Sequence, residues 1–146
     1  MSTPALRPFM YGKIHRCTVT DADLHYVGSI TIDPVLLRAA KLYPHTKVDV
    51  VNITNGARIE TYVIEGPEGK GDVCLNGAAA HHFNKGDLAI IMGYEMVPVD
   101  QLEGRISRAV HVDANNAILS TENHVTPSLD NLGQPANNRL GEMFNV

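Results

Sequence analysis

The sequence predicts a mainly β fold, a small β-barrel with one short helix, on three observations. Apolar and β-branched residues alternate in short runs, and turn signals such as Asn55-Gly56 and Lys85-Gly86-Asp87 separate those runs. Only one stretch carries helical spacing. Many short strands between frequent turns are the pattern of a closed or nearly closed β architecture.

The elements follow in order. Residues 1–9, with Pro4 and Pro8, read as an irregular start, and ordered structure is expected from Met10. Residues 10–20 alternate, placing Tyr11, Lys13 and His15 on one strand face and Ile14 on the other. Asp21-Ala22-Asp23 reads as a turn, and residues 25–32 return to strand character around Gly28-Ser29. Taken alone, that pair is an ordinary loop.

Asp33-Pro34 reads as a helix start, with Asp33 as N-cap and Pro34 at the first helical position. Val35, Leu36, Leu37, Ala39, Ala40 and Leu42 supply its apolar stripe, and Tyr43-Pro44 ends it. Residues 47–53 are a β-branched run, and Asn55-Gly56 supplies the positive φ angles of a tight reversal. On the returning strand, 58–64, Arg58, Glu60 and Tyr62 share one face, and Ile59, Thr61 and Val63 share the other.

A Gly/Pro-rich loop over 65–71 precedes a brief strand at 72–76. The small residues Gly77, Ala78, Ala79 and Ala80 then leave backbone N–H groups open to close approach. Residues 88–94 form the most apolar run and read as a central strand. A last short strand is expected at 109–113, and from Asn115 the composition turns to that of a polar tail.

A chain of 146 residues with 44% hydrophobic and 19% charged residues has the composition of one globular domain, not of a disordered segment. Its net charge of -4 leaves no basic footprint for nucleic acid. No run reaches the ~18 to 20 apolar residues that span a bilayer. No partner of either kind is expected, and the chain is placed in the cytoplasm. Cys17 and Cys74 are too few for a disulfide scaffold and read as small core residues carrying free thiols. The adjacent His81-His82 would point to opposite strand faces, so no metal site is expected.

Six segments share one register with a known family. Lys13-Ile14-His15-Arg16, His25-Tyr26-Val27-Gly28-Ser29, Asn52-Ile53-Thr54-Asn55-Gly56, Arg58 with Thr61-Tyr62, Asn76-Gly77-Ala78-Ala79-Ala80-His81 and Lys85-Gly86-Asp87 stand in the order and spacing of the aspartate decarboxylases. The chain resembles that pyruvoyl-dependent family over residues 10–113.

The resemblance implies a double-psi β-barrel over 1–114, with 115–146 as a C-terminal tail, assembled as a homotetramer with active sites between subunits. It implies a proenzyme that cuts itself between Gly28 and Ser29 into a β chain, 1–28, and an α chain, 29–146. The first residue of the α chain becomes a covalent pyruvoyl cofactor derived from Ser29. The implied reaction converts L-aspartate to β-alanine and CO2, supplying a precursor of pantothenate and coenzyme A. A maturation helper protein stays among the partners the resemblance admits.

The chemistry accounts for the two residue types. The Ser29 hydroxyl attacks the Gly28 carbonyl, turning an amide into an ester, and glycine presents no Cβ to that approach. Loss of the Ser29 Cα proton then expels the Gly28 carboxylate, and hydrolysis with loss of ammonia leaves a ketone. The ketone condenses with the substrate amine as a Schiff base and accepts the electrons released when CO2 leaves.

Residue by residue, Tyr62 matches the family's proton donor, and Thr61 matches the residue that assists self-cleavage and contacts substrate. Arg58 and Lys13 match cations that bind substrate carboxylates, a task suited to the planar fork of arginine. Asn76, Gly77, Ala78 and Ala79 match the wall that orients the substrate, with His15 and Tyr26 as polar support. Thr61 is expected to face away from Arg58 and Tyr62, which a bulge, a twist or a site shared between subunits would reconcile. Val51 stands where some members carry an aromatic residue, which predicts looser packing beside the substrate. Two other readings remain at this stage: a non-catalytic barrel that binds a small ligand or peptide, and the same chemistry acting on glutamate.

Overall fold

The computed structural model describes residues 3–134. The chain is mainly β, with nine strands, one α-helix and three short 3₁₀ turns among the described residues. The strands are β1 (Leu6–Thr18), β2 (Asp21–Asp23), β3 (Ser29–Ile32), β4 (Lys47–Asn52), β5 (Arg58–Glu65), β6 (Val73–Asn76), β7 (Leu88–Pro98), β8 (Ile106–Val112) and β9 (Ile118–Val125), and the helix α1 is Pro34–Ala40. They form one mixed sheet in the order β2-β6-β3-β5-β4-β7-β1-β8-β9.

Alternation explains how this sheet makes a core. Ile14 and Cys17 of β1, Ile30 and Ile32 of β3, Val48 and Val50 of β4, Val63 of β5, Val73 and Leu75 of β6, Ile91 of β7 and Val110 of β8 are all fully buried in one apolar cluster. Strands near both ends of the order share that cluster, so the sheet curls into a barrel-like shape. It does not close, because β2 and β9 each have only one neighbour.

The helix forms as its caps dictate. Pro34 occupies the first turn, and the Asp33 carboxylate accepts from Val35 N at 2.9 Å. Leu36, Leu37 and Ala40 face the core. α1 lies directly on β1 where Gly12 has no side chain: a Cβ there would sit 2.2 Å from the Ala40 carbonyl oxygen.

Asp33 does more than cap, since Gly69 N and Gly71 N also donate to it, at 3.0 and 2.7 Å. Burial pushes its carboxyl pKa up, but the N–H groups of Gly69, Val35 and Gly71, with the nearby Arg38 charge, outweigh this and hold it below the usual carboxylate range. A depressed carboxylate contributes stability that is present above its unfolded pKa of about 4 and lost as pH falls through the folded value. Asp33→Ala is therefore expected to lose about 2–4 kcal/mol near neutral pH, from the cap and the loop bonds together. It is also expected to flatten the acid limb of the stability curve below about pH 4. Urea unfolding at pH 7 and at pH 3 checks both.

Several boundaries differ from the sequence reading. Strand structure begins at Leu6, because Leu6–Met10 pairs with Pro98–Tyr94 of an unexpectedly long β7. Asp21–Asp23 is a strand, held by parallel pairing with Cys74–Asn76. Residues 24–28 form a turn, and strand structure resumes only at Ser29. The segment read as a polar tail from residue 115 contains β9, antiparallel to β8, while residues 135–146 lie outside the described residues. No helix among the described residues is long and apolar enough to cross a membrane.

Candidate active site

The site is built on the ladder of β3 and β6, where Ser29 pairs with Asn76 and Thr31 with Cys74. Ile30, Ile32, Val73 and Leu75 point into the core, so Ser29, Thr31, Cys74 and Asn76 project together from the opposite face. Ser29 is nevertheless fully buried and Asn76 is 2% exposed. The 24–28 turn and the 3₁₀ turn Gly77–His82 flank this patch in sequence.

The Ser29 hydroxyl is engaged both as donor and as acceptor. It donates to the Val27 carbonyl oxygen at 2.9 Å and accepts from Asn76 Nδ2 at 3.0 Å. The same Asn76 nitrogen donates to Thr31 Oγ1 at 2.9 Å. The Gly28–Ser29 peptide thus has its serine oxygen held from both sides.

The steric demand for glycine falls on Gly77 rather than on Gly28. Gly77 has φ +69°, and a Cβ there would come within 2.8 Å of Gly28 Cα and 2.9 Å of Gly28 N. A Cβ on Gly28 would meet nothing within 4 Å. Gly77 therefore lets the chain turn tightly beneath the Gly28–Ser29 bond.

A cleft of about 470 Å³ opens beside this bond, lined by Gly28, Ile59, Glu60, Thr61, Tyr62, Asn76, Ala78, Ala79 and His82. It brings together Gly28, Thr61, Tyr62, Asn76, Ala78 and Ala79 as the sequence reading grouped them. Thr61 and Tyr62 reach the same space although they are adjacent on a strand. Glu60 and His82 are titratable groups of this cleft that the sequence reading left out. His81 and His82 lie in the 3₁₀ turn Gly77–His82 and not on a strand as the sequence suggests, because the small residues after Gly77 wind into a helical turn.

Arg58 and Lys13 stand elsewhere. Arg58 Nη2 is 2.8 Å from Asp49 Oδ2 and 3.4 Å from the Tyr94 hydroxyl, in a separate cleft of about 450 Å³ that also includes Lys47 and Glu60. Lys13 lies on β1, opposite Met92 of β7 and Ala109 of β8. One row of the sheet runs Glu60–Asp49–Met92–Lys13–Ala109–Glu122, so Lys13 shares the outer face with Asp49 and Glu60. Three strand spacings, about 14 Å, separate Lys13 from Glu60 along this row. Within one chain, the two cations do not line the Ser29 cleft.

His15 sits beside Lys13 on β1, its ring packed edge-on against His111 with centroids 5.4 Å apart. Its Nδ1 is buried without a hydrogen-bond partner, and burial, then the charges of Lys13, His111 and Arg16, lower its pKa against the opposing pull of Glu122. Tyr26 is exposed and lines a third cleft, of about 390 Å³, with Asp21, Asp23, Thr31, Cys74 and Asn76. Cys17 is a core thiol, its pKa pushed up to about 12 by burial, as the composition suggested. Cys74 is instead half-buried on the outer face.

Comparison with known proteins first sets the class. A relative from Corynebacterium efficiens, named aspartate 1-decarboxylase, is 56% identical over 118 residues, covering 81% of this chain and 87% of its own. Relatives of the same name from Neisseria meningitidis and Listeria monocytogenes are 54% and 52% identical over 112 residues, 77% of this chain and 88% of theirs. The chain is an enzyme of the decarboxylase class. Residues 5–119 match the family model described as aspartate decarboxylase, and the chain belongs to that family.

Proposed function

We propose that this chain cuts itself between Gly28 and Ser29 and then converts L-aspartate to β-alanine and CO2, working in the cytoplasm. The observation that carries the reading is the buried Ser29 hydroxyl, held between Val27 O and Asn76 Nδ2 beside a cleft walled by Thr61 and Tyr62. That hydroxyl belongs to the residue directly after Gly28, whose carbonyl carbon its oxygen attacks while its proton passes to the amine released from Gly28. The pyruvoyl group implied for Ser29 fits a residue that is enclosed, yet adjoins an open cleft through Gly28 and Asn76. Such a group supplies a carbonyl that takes up electron density as the substrate loses CO2.

The chain's own residues do the rest. Ala78 and Ala79 leave room for a small substrate, Asn76 orients it, and the Tyr62 hydroxyl supplies the proton that replaces the lost carboxylate. Arg58 and Lys13 bind carboxylate oxygens from the outer sheet face. Neither cation lines the Ser29 cleft within one chain, which supports a site completed between two copies in a homotetramer.

Denaturing mass spectrometry tests the reading. Two fragments, 1–28 and 29–146, with no free amine on the second, are expected from the mature protein, together with turnover of aspartate in preference to glutamate. A chain that stays whole and inert through prolonged incubation rejects it.

A further inference from the structure

Asn76 has two ends, and only one orientation of its carboxamide serves Ser29. Its Nδ2 points at the Ser29 and Thr31 hydroxyls, at 3.0 and 2.9 Å, while its Oδ1 lies 3.2 Å from Cys74 Sγ. Reversing the amide would set Oδ1 against the Ser29 oxygen, whose single proton already goes to Val27 O. Something must therefore hold the amide in place, and the neighbours that do so are Thr31 and Cys74, facing each other across β3 and β6.

We propose that Thr31 and Cys74 are positioning residues for self-cleavage, locking the Asn76 carboxamide with its nitrogen toward the Ser29 hydroxyl. The proposal rests on the reading that the Gly28–Ser29 bond is cut. Cys74 donates its thiol proton to Asn76 Oδ1; the alternative acceptor, the Leu75 carbonyl, is 4.0 Å away. Burial, then the charges of Asp21 and Asp23, raise the Cys74 pKa, so the sulfur keeps the proton it must donate. Thr31 receives the second Asn76 proton, and its rotamer is fixed from behind. Its Cγ2 methyl lies so near Gly66 that a Cβ on that glycine would come within 2.9 Å.

The lock matters because of where charge develops. In the first step the Ser29 Oγ–Gly28 C bond forms, the Gly28 C–Ser29 N bond breaks, and the hydroxyl proton passes to the released amine. In the second, Ser29 loses its Cα proton and the Cβ–Oγ bond breaks, so the original Oγ departs in the Gly28 carboxylate carrying negative charge. The N–H that Asn76 directs at Oγ stabilises that departing oxygen, whereas a reversed amide would repel it.

The test follows freshly synthesised precursor, kept reduced, by intact-protein mass spectrometry, with a melting temperature for every variant. Thr31→Val and Cys74→Ala are each expected to split about five- to tenfold more slowly than the native chain, the worth of one hydrogen bond. Thr31→Ser and Cys74→Ser, which restore the polar atom, are expected to stay within about twofold of native. The two positions are independent arms, so a variant that fails to fold at one leaves the other to decide. Native splitting rates in both apolar variants, beside a Ser29→Ala control that stays whole, overturn the positioning roles and leave self-cleavage standing. Serine variants as slow as the apolar ones also overturn them, because the effect is then one of packing. A native precursor that never splits overturns the cleavage reading itself.

Discussion

Ser29→Ala is expected to yield a single chain of 15.9 kDa that neither splits nor turns over aspartate. The substitution removes the oxygen proposed to attack Gly28, and with it the proposed source of the pyruvoyl carbonyl, so both activities are expected to fall together. Little else should change. The alanine would lose two hydrogen bonds, to Val27 O and from Asn76 Nδ2, but the latter nitrogen keeps its bond to Thr31 Oγ1. A folded, monodisperse and uncut protein is the expected product, read by denaturing mass spectrometry beside circular dichroism. Normal aspartate decarboxylation by that uncut variant would remove Ser29 from the chemistry altogether.

Tyr62→Phe separates the two activities. Loss of a positioned proton donor costs about 10²- to 10⁴-fold in the step it serves. Tyr62 lines the open cleft while the Ser29 hydroxyl is held by Val27 O and Asn76 Nδ2, so self-cleavage is expected to proceed without the Tyr62 hydroxyl. The expected protein is fully split but slow, with kcat reduced by that factor and KM little changed. Measured fragment masses and steady-state rates on one preparation decide the point. A variant that fails to split would instead assign Tyr62 to maturation.

Local chemistry made part of this fold legible in the sequence. Asp33-Pro34 marks its helix start because the cap acts within three residues, and Asn55-Gly56 marks where β4 reverses into β5, although the connection is the five residues 53–57 and only Gly56 takes a positive φ, +80°. β9 was illegible. As an edge strand it carries Ser120, Thr121, Glu122, Asn123 and His124 with little apolar alternation, and its order comes from a distant ladder with β8. β2 likewise exists only because Asp21–Asp23 lies beside β6, some fifty residues on.

The site divides in the same manner. Gly28, Ser29, Thr61, Tyr62 and Asn76 were legible through the family motifs, and one cleft or its floor gathers them. The alternation that put Arg58 with Tyr62 holds as a statement about faces, but four residues of strand set them about 13 Å apart, enough to place them in different clefts. Nothing in a spacing rule announces that distance. The duties of Cys74 and Thr31 were equally hidden, because they act on Asn76 through a register that only the folded ladder creates.

The place of β1 in the sheet bears on what a cut at Gly28 would do. β1 is an interior strand, bonded to β7 along most of its length and to β8 on its other side, and it plants Ile14 and Cys17 in the core. The 1–28 piece would therefore remain woven into the body it was severed from, its thirteen-residue strand as firmly seated as before. A cut at this bond would change covalent connectivity while leaving the pairing of β1 with β7 and β8 in place. The severed segment would then serve the protein as a non-covalent subunit, one that only denaturation would release.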